Sequence, residues 1–230
     1  MKTTLLTALL FSTTLSASVS IPDYNWQVTD LAEAGLKKEE LFSRMDRKFI
    51  KVGSSICANR ALMWLNDFKT SNNVDGAKIF LFYTNKSHGI GLKTWWYHVA
   101  PIVAENNELF VMDAGFNFPG PVTPKTWMDN FSRGGNCKEI KAGEDDLIEL
   151  MHQGQQFPTN TRYGEYHCYY KIVPAGLWFP QTVAASLTGG NIPNEIQNDE
   201  VYAACLEAVT SPIGRRFGAG KKSCRKYIGQ

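Results

Sequence analysis

Asn106-Asn107, set between two runs rich in β-branched and aromatic residues, restricts the fold more than any other feature of the sequence. The runs, 95–103 and 108–113, read as strands. Two adjacent asparagines tolerate the positive φ of a tight turn, so the runs are expected to form an antiparallel hairpin. A two-residue turn then fixes the register: Glu105 faces Glu108, Ala100 faces Asp113 and His98 faces Gly115. Side chains alternate faces with period two, so His98 and Asp113 share a face as diagonal neighbours. Ala100 is small and beside both, which leaves an imidazole room to lean toward the carboxylate. Pro101 threatens this register, because a proline inside a strand often marks a bulge.

Elsewhere, 78–83 (KIFLFY) and 166–173 read as further strands. Ala58, Ala61, Leu62, Leu65 and Phe68 follow the spacing of a helix with one buried stripe. Ser54 or Ser55 is its expected N-cap, which puts Cys57 in the first turn. Leu31, Ala34, Leu36, Leu41, Phe42 and Met45 recur at loosely helical spacing, predicting one or two short helices over 30–49. A short helix is expected over 125–131 and another over 199–210. The mixture predicts an α+β fold with helices on one side of an antiparallel sheet. The chain has 230 residues, 43% hydrophobic and 20% charged, enough apolar content for a real core. That composition excludes a disordered chain. A formal charge of +2 argues against a dedicated nucleic-acid binder.

Lys2, the apolar residues from Leu5 to Phe11 and Ser16-Ala17-Ser18 have the three parts of a secretory signal, with cleavage expected between Ala17 and Ser20. No later apolar run approaches the ~20 residues of a membrane-spanning helix. An exported chain, secreted or periplasmic, meets an oxidising compartment in which cysteines pair. The five cysteines are at 57, 137, 168, 205 and 224, so an odd one is left over. Cys137–Cys168 and Cys205–Cys224 are the expected bridges, although four cysteines allow three connectivities. Cys57 is then the free thiol. With no C-x-x-C spacing and four histidines, neither a metal site nor a cofactor is expected. The organisation read from these features is a signal over 1–20 and an N-terminal helical segment over 21–52, either part of the fold or a short pro-segment. A catalytic core over 53–185 follows, then a C-terminal helix and basic, disulfide-tied tail over 186–230.

A thiol at a helix N-terminus has its thiolate stabilised by the helix field and by any nearby imidazolium. A carboxylate on one imidazole nitrogen fixes the tautomer and frees the other nitrogen for proton transfer. Cys57, His98 and Asp113 in that combination suit acyl transfer by a thiolate nucleophile. The competing reading is an inert buried cysteine beside a satisfied strand histidine. His88, His152 and His167 read as ordinary residues, and the basic tail (Arg215, Arg216, Lys221, Lys222, Arg225, Lys226) as a solvated face.

Three stretches carry a resemblance: Cys57-Ala58-Asn59-Arg60-Ala61, Trp95-Trp96-Tyr97-His98-Val99-Ala100, and 113–127 (DAGFNFPGPVTPKTW), with Gly120-Pro121-Val122-Thr123 and Trp127. Together they resemble the bacterial protein-glutaminases, secreted protein deamidases whose core is similar to papain and the transglutaminases. The resemblance covers about 53–131 and is loose beyond. It implies Cys57 as nucleophile, His98 as general base and acid, and Asp113 as the group orienting His98. The implied reaction deamidates protein- or peptide-bound glutamine through a thioester. Family members carry a long propeptide, whereas only 21–56 separate the signal from Cys57 here. The Cys57 backbone N–H is one expected oxyanion donor, with Ser54, Ser55 or Trp95 as the second. Trp95, Trp96 and Tyr97 are candidate walls for the glutamine stem. The expected partners are proteins or peptides with accessible glutamine, with no nucleic acid and no membrane span, and the protein is expected to be a monomer. A transglutaminase or a papain-like protease would use the same three residues, since the site walls decide the acceptor. A non-catalytic secreted binding or toxin-like module is the reading from another class.

Overall fold

The computed structural model describes residues 18–45, 57–84, 97–116, 118–141 and 166–177. Residues 1–17 of the expected signal sequence, the caps Ser54 and Ser55, the ring pair Trp95 and Trp96, the 199–210 helix, Cys205, Cys224 and the basic tail lie outside the described residues, while 18–20 of that signal belong to β1. The first half contains β1 (Ser18–Ile21), β2 (Trp26–Thr29), α1 (Lys38–Arg44), α2 (Cys57–Asn72) and β3 (Ala77–Tyr83). Then come β4 (Tyr97–Glu105), β5 (Glu108–Val111), α3 (Pro124–Ser132), β6 (Cys137–Glu139) and β7 (Cys168–Pro174).

Five strands form one sheet in the order β5-β4-β3-β7-β6, and β1 pairs with β2 separately. β3 is central, and all seven of its residues are buried. From Ile79 to Tyr83 it therefore reads in sequence as a continuous apolar run rather than an alternating one. The α+β class expected from the sequence holds. The sheet is mixed, however, because β6 runs parallel to β7. This corrects the antiparallel expectation: a three-residue edge strand is too short to show any periodicity. The two strands are also tied covalently, since Cys137 and Cys168 are register partners joined by a disulfide with Cα atoms 4.5 Å apart.

The β4–β5 hairpin has the register that its two asparagines dictate, with Glu105 opposite Glu108 and Ile102 opposite Val111. Asn106 and Asn107 both adopt positive φ, 53° and 63°. The buried carboxylate of Asp30 accepts from the backbone N–H of Asn106 (3.0 Å) and of Asn107 (2.7 Å), which pins the turn to the body of the protein. Pro101 introduces no bulge. In an antiparallel strand a residue points its N–H and C=O at the same neighbour. The Pro101 carbonyl accepts from Met112 N–H (2.9 Å), so its missing donor falls on the β5 side, where pairing ends. Its pairing with β3 loses nothing.

β5 stops at Val111, short of the expected Asp113, because Val111 next bonds Val122 (2.7 Å and 3.2 Å) and the chain turns over 114–116. The helical reading of 21–52 also needs correction. Its described part contains the β1–β2 hairpin, turns over 31–35 and only one helix, α1. Each strand of that hairpin has four residues, too few to outweigh the helical spacing downstream, and Gly35 at φ +68° prevents a continuous helix. Val28 and Leu31 are fully buried, and Trp26 donates through Nε1 to the Gly76 carbonyl (2.9 Å). Among the described residues no helix is long and apolar enough to cross a membrane.

Asn107→Val should lower stability by about 1–2 kcal/mol, since a β-branched residue resists the left-handed region. Asn107→Gly should preserve stability. Urea denaturation of both variants tests the register, and an Asn107→Val chain as stable as the parent would count against it.

Candidate active site

α2 starts at Cys57, which is buried together with Ala61, Leu62, Leu65 and Phe68 on the inward stripe. A helix start presents backbone N–H groups without intrahelical partners and the positive end of the helix dipole. β4 contributes His98, which is wholly buried, and the chain just beyond β5 contributes Asp113, 2% exposed. His98 Nε2 lies 2.8 Å from Asp113 Oδ2. The diagonal pairing read from the hairpin is thus a direct contact. Asp113 Oδ2 also accepts from Trp127 Nε1 (2.9 Å), and Oδ1 accepts from Gly115 N–H (3.1 Å).

With Nε2 committed to Asp113, Nδ1 is the nitrogen left to meet a thiol, and the His98 and Cys57 side chains each favour the charged form of the other. The Val99 backbone N–H also donates to the Cys57 sulfur. Val99 shares its backbone direction with Pro101, toward β5, and β5 has already ended at this level. Departure of one strand therefore frees a donor that the start of α2 takes up.

Burial works against charge on all three groups, and their neighbours reverse it. Burial raises the Cys57 thiol. The hydrogen bond and charge of His98, the charge of Arg60 and the Val99 N–H outweigh that and bring it below its ordinary value. Burial lowers His98, but the charge and hydrogen bond of Asp113, joined by Cys57, push it up to about 9. Asp113 is likewise raised by burial and brought below its ordinary value by His98, Trp127 and Gly115. These shifts favour a thiolate on sulfur and an imidazolium on the ring, a charge state suited to pairing a sulfur nucleophile with a proton donor.

The His98 ring is enclosed by aromatics. Phe116 meets it edge-on at 4.6 Å, Trp127 stacks at 5.5 Å, and Phe131 lies 5.1 Å away. Trp127 is fully buried and Phe116 is half-buried. Trp127 stands in the motif that carries the resemblance, but its bond to Asp113 was not read from sequence. The signal was present: Thr123 caps α3, accepting from Thr126 N–H (3.2 Å), and Pro124 occupies the first turn. That start sets which face Trp127 and Phe131 present. Arg60, three residues after Cys57 and 9% exposed, was also missed as part of the site.

Of the other expected site residues, Ser54, Ser55, Trp95 and Trp96 lie outside the described residues. Tyr97 is half-buried, and its ring packs on Phe80 (6.0 Å) and Phe82 (6.4 Å), on the sheet face opposite His98. Burial and the charge of Cys57 both raise its hydroxyl. Cys57 is a free thiol. Cys137–Cys168, one of the two bridges expected, is formed. His167 pairs through Nδ1 with the Asn136 side chain (3.0 Å), while His88 and His152 lie outside the described residues. Among the described residues no three ligating side chains cluster as a metal site would need.

Asp113 is ionised more readily folded than unfolded, so it stabilises the fold above its ordinary value of 3.8, and that contribution is lost as pH falls through the lowered folded value. Trp127→Phe removes one donor to the carboxylate. It should cost about 1–3 kcal/mol and start acid unfolding at higher pH. Thermal denaturation followed across the acid range measures both, and an unshifted acid limb would contradict the assigned bond.

Residues 35–131 match a family model described as Glutaminase, and Cys57, His98 and Asp113 all fall inside the match. The NMR structure of protein-glutaminase from Chryseobacterium proteolyticum is similar at 17% identity and a TM-score of 0.41, covering 80% of this chain and 91% of that one. No curated protein matches the sequence. The stretch that brings the free thiol, the imidazole and the carboxylate together is thus the part of the chain that matches the glutaminase family.

Proposed function

We propose that this chain is an exported hydrolase that converts protein- or peptide-bound glutamine to glutamate and releases ammonia. The observation that carries the reading is His98 held between the Asp113 carboxylate (2.8 Å) and the Cys57 thiol, inside the segment that matches the glutaminase family. The arrangement is papain-like in kind: a nucleophile at a helix start, with its base and orienting acid supplied by a sheet hairpin. Export is supported by the signal-like leader and by the Cys137–Cys168 bridge, which suits an oxidising compartment. In this reading Cys205 and Cys224 form the second bridge, 53–185 is the catalytic core, and the protein acts as a monomer without a cofactor.

The reaction runs in two halves. The Cys57 thiolate attacks the carboxamide carbon, and the oxyanion meets the Cys57 backbone N–H at the start of α2 and a second donor from Ser54, Ser55 or Trp95. His98 gives its proton to the departing nitrogen, the C–N bond breaks, and ammonia leaves a thioester on sulfur. His98 then takes a proton from water, the hydroxide adds to the thioester, and the C–S bond breaks. Glutamate leaves, and the thiolate–imidazolium pair is restored. Asp113 keeps the ring oriented through Nε2 so that Nδ1 serves both proton transfers. Trp95 and Trp96 border the slot for the glutamine stem, whereas Tyr97, packed on Phe80 and Phe82 on the opposite sheet face, does not.

The active form is the ionised pair, so the rate should rise with pH as the Cys57 thiol ionises and fall as His98 loses its proton at about 9. A pH profile of kcat/KM that keeps rising through that value would contradict the pair. Supplying an unfolded glutamine-rich protein and following ammonia, intact substrate mass and peptide fragments separately tests the reaction. Ammonia with an uncleaved substrate is expected; fragments without ammonia would make the chain a protease, and amine incorporation in place of hydrolysis a transglutaminase. Cys57→Ala should abolish ammonia release while circular dichroism stays unchanged. Asp113→Asn should lower turnover by about ten-thousandfold yet leave it measurable, because Asp113 orients the ring and does not itself react.

A further inference from the structure

We propose that Arg60 is a positioning residue for the Cys57 thiolate: a fixed positive charge, one helical turn from the sulfur, that adds to the support the imidazolium gives and does not depend on the proton that His98 passes on. This rests on the reading of Cys57 as nucleophile.

Residues three apart on a helix are neighbours on one face, so Arg60 stands beside Cys57 on the buried side of α2. A guanidinium is rarely buried unless it is paired or functional. Arg60 is 9% exposed, its Nε has no hydrogen-bond partner, and no carboxylate among the described residues lies at ion-pair distance from it. Its head group packs on Gly115, where a β-carbon would lie 3.5 Å from Nη2 and 3.2 Å from Asp113 Oδ1. The guanidinium therefore lies on the Oδ1 side of Asp113, while His98 occupies the Oδ2 side. Gly115 keeps that space open by having no side chain.

The titratable and charged groups around the sulfur are few among the described residues. β4 supplies His98 and Tyr97, β3 supplies Tyr83, the turn after β5 supplies Asp113, and α2 itself supplies Arg60. Burial raises both phenols, so they stay neutral, and Asp113 opposes the thiolate. The positive charges are thus His98 and Arg60, and both lower the thiol. They differ in one respect. The imidazole gives up its proton to ammonia and regains one from water, whereas a guanidinium keeps its charge across the working range. When the thioester breaks, sulfur must leave as a thiolate, and the cation that does not cycle is Arg60.

The test is a titration of the thiolate by its ultraviolet absorbance in the full-length protein, read as the difference from Cys57→Ala. It needs no substrate and so stands apart from the question of deamidation. Arg60→Gln should move the thiol midpoint upward by about one pH unit. Arg60→Lys, which keeps the charge, should stay at the parent midpoint. A folded Arg60→Gln protein with the parent midpoint would overturn the proposal. Should Arg60→Gln fail to fold, Arg60→Lys decides alone: the parent midpoint supports the charge and a raised midpoint refutes it. In a turnover assay, Arg60→Gln should lower kcat with little change in KM; a loss confined to KM would instead make Arg60 a substrate contact.

Discussion

The hydrogen bond between His98 Nε2 and Asp113 Oδ2 organises the rest of the site. It commits one ring nitrogen to the carboxylate and so assigns the other to the sulfur. Two residues from adjacent strands meet this way because a two-residue turn fixes their register and because β5 ends at Val111, letting Asp113 curl back toward the ring. The same ending leaves the Val99 N–H without a strand partner and opens the β4 edge to the start of α2, where Cys57 receives that N–H. Strand register, strand length and helix placement are therefore parts of one arrangement.

Burying three ionisable groups is costly unless each stabilises the others. Here cation and anions alternate along the line of sulfur, ring and carboxylate, and each group is shifted toward its charged form against its own desolvation. Asp113 holds three protein donors, from His98, Trp127 and Gly115. Phe116, Trp127 and Phe131 wall the ring on several sides, which limits its rotation and keeps the local dielectric low. The aromatic residues and the polar ones thus serve the same end: a fixed imidazole with one nitrogen anchored.

Much of this was legible in the sequence because the informative signals were local. Two asparagines name a turn type, the turn sets the register, and the register places His98 diagonal to Asp113 by counting alone. The spacing of Ala61, Leu65 and Phe68 placed Cys57 at a helix start. What escaped was non-local or too short to carry a period. The parallel pairing of β6 depends on a strand of three residues. The β1–β2 hairpin has four residues a side and was overridden by helical spacing further on. The cap at Thr123 marks in the sequence where α3 starts, but not the carboxylate that Trp127 meets, since Asp113 comes to it from the end of β5. The Pro101 bulge was a fair expectation from composition. It failed because the missing N–H faces the one point where the ladder had already ended.

Deamidation through a thioester requires the Cys57 sulfur to carry the acyl group. Acid-quenching the protein during turnover of a glutamine-containing peptide and weighing it intact reads this directly. The expected species is the protein plus the peptide minus ammonia, with the added mass mapping to Cys57 and disappearing as glutamate product accumulates. An adduct on another residue, or steady ammonia release by a protein whose Cys57 has been replaced, would contradict it.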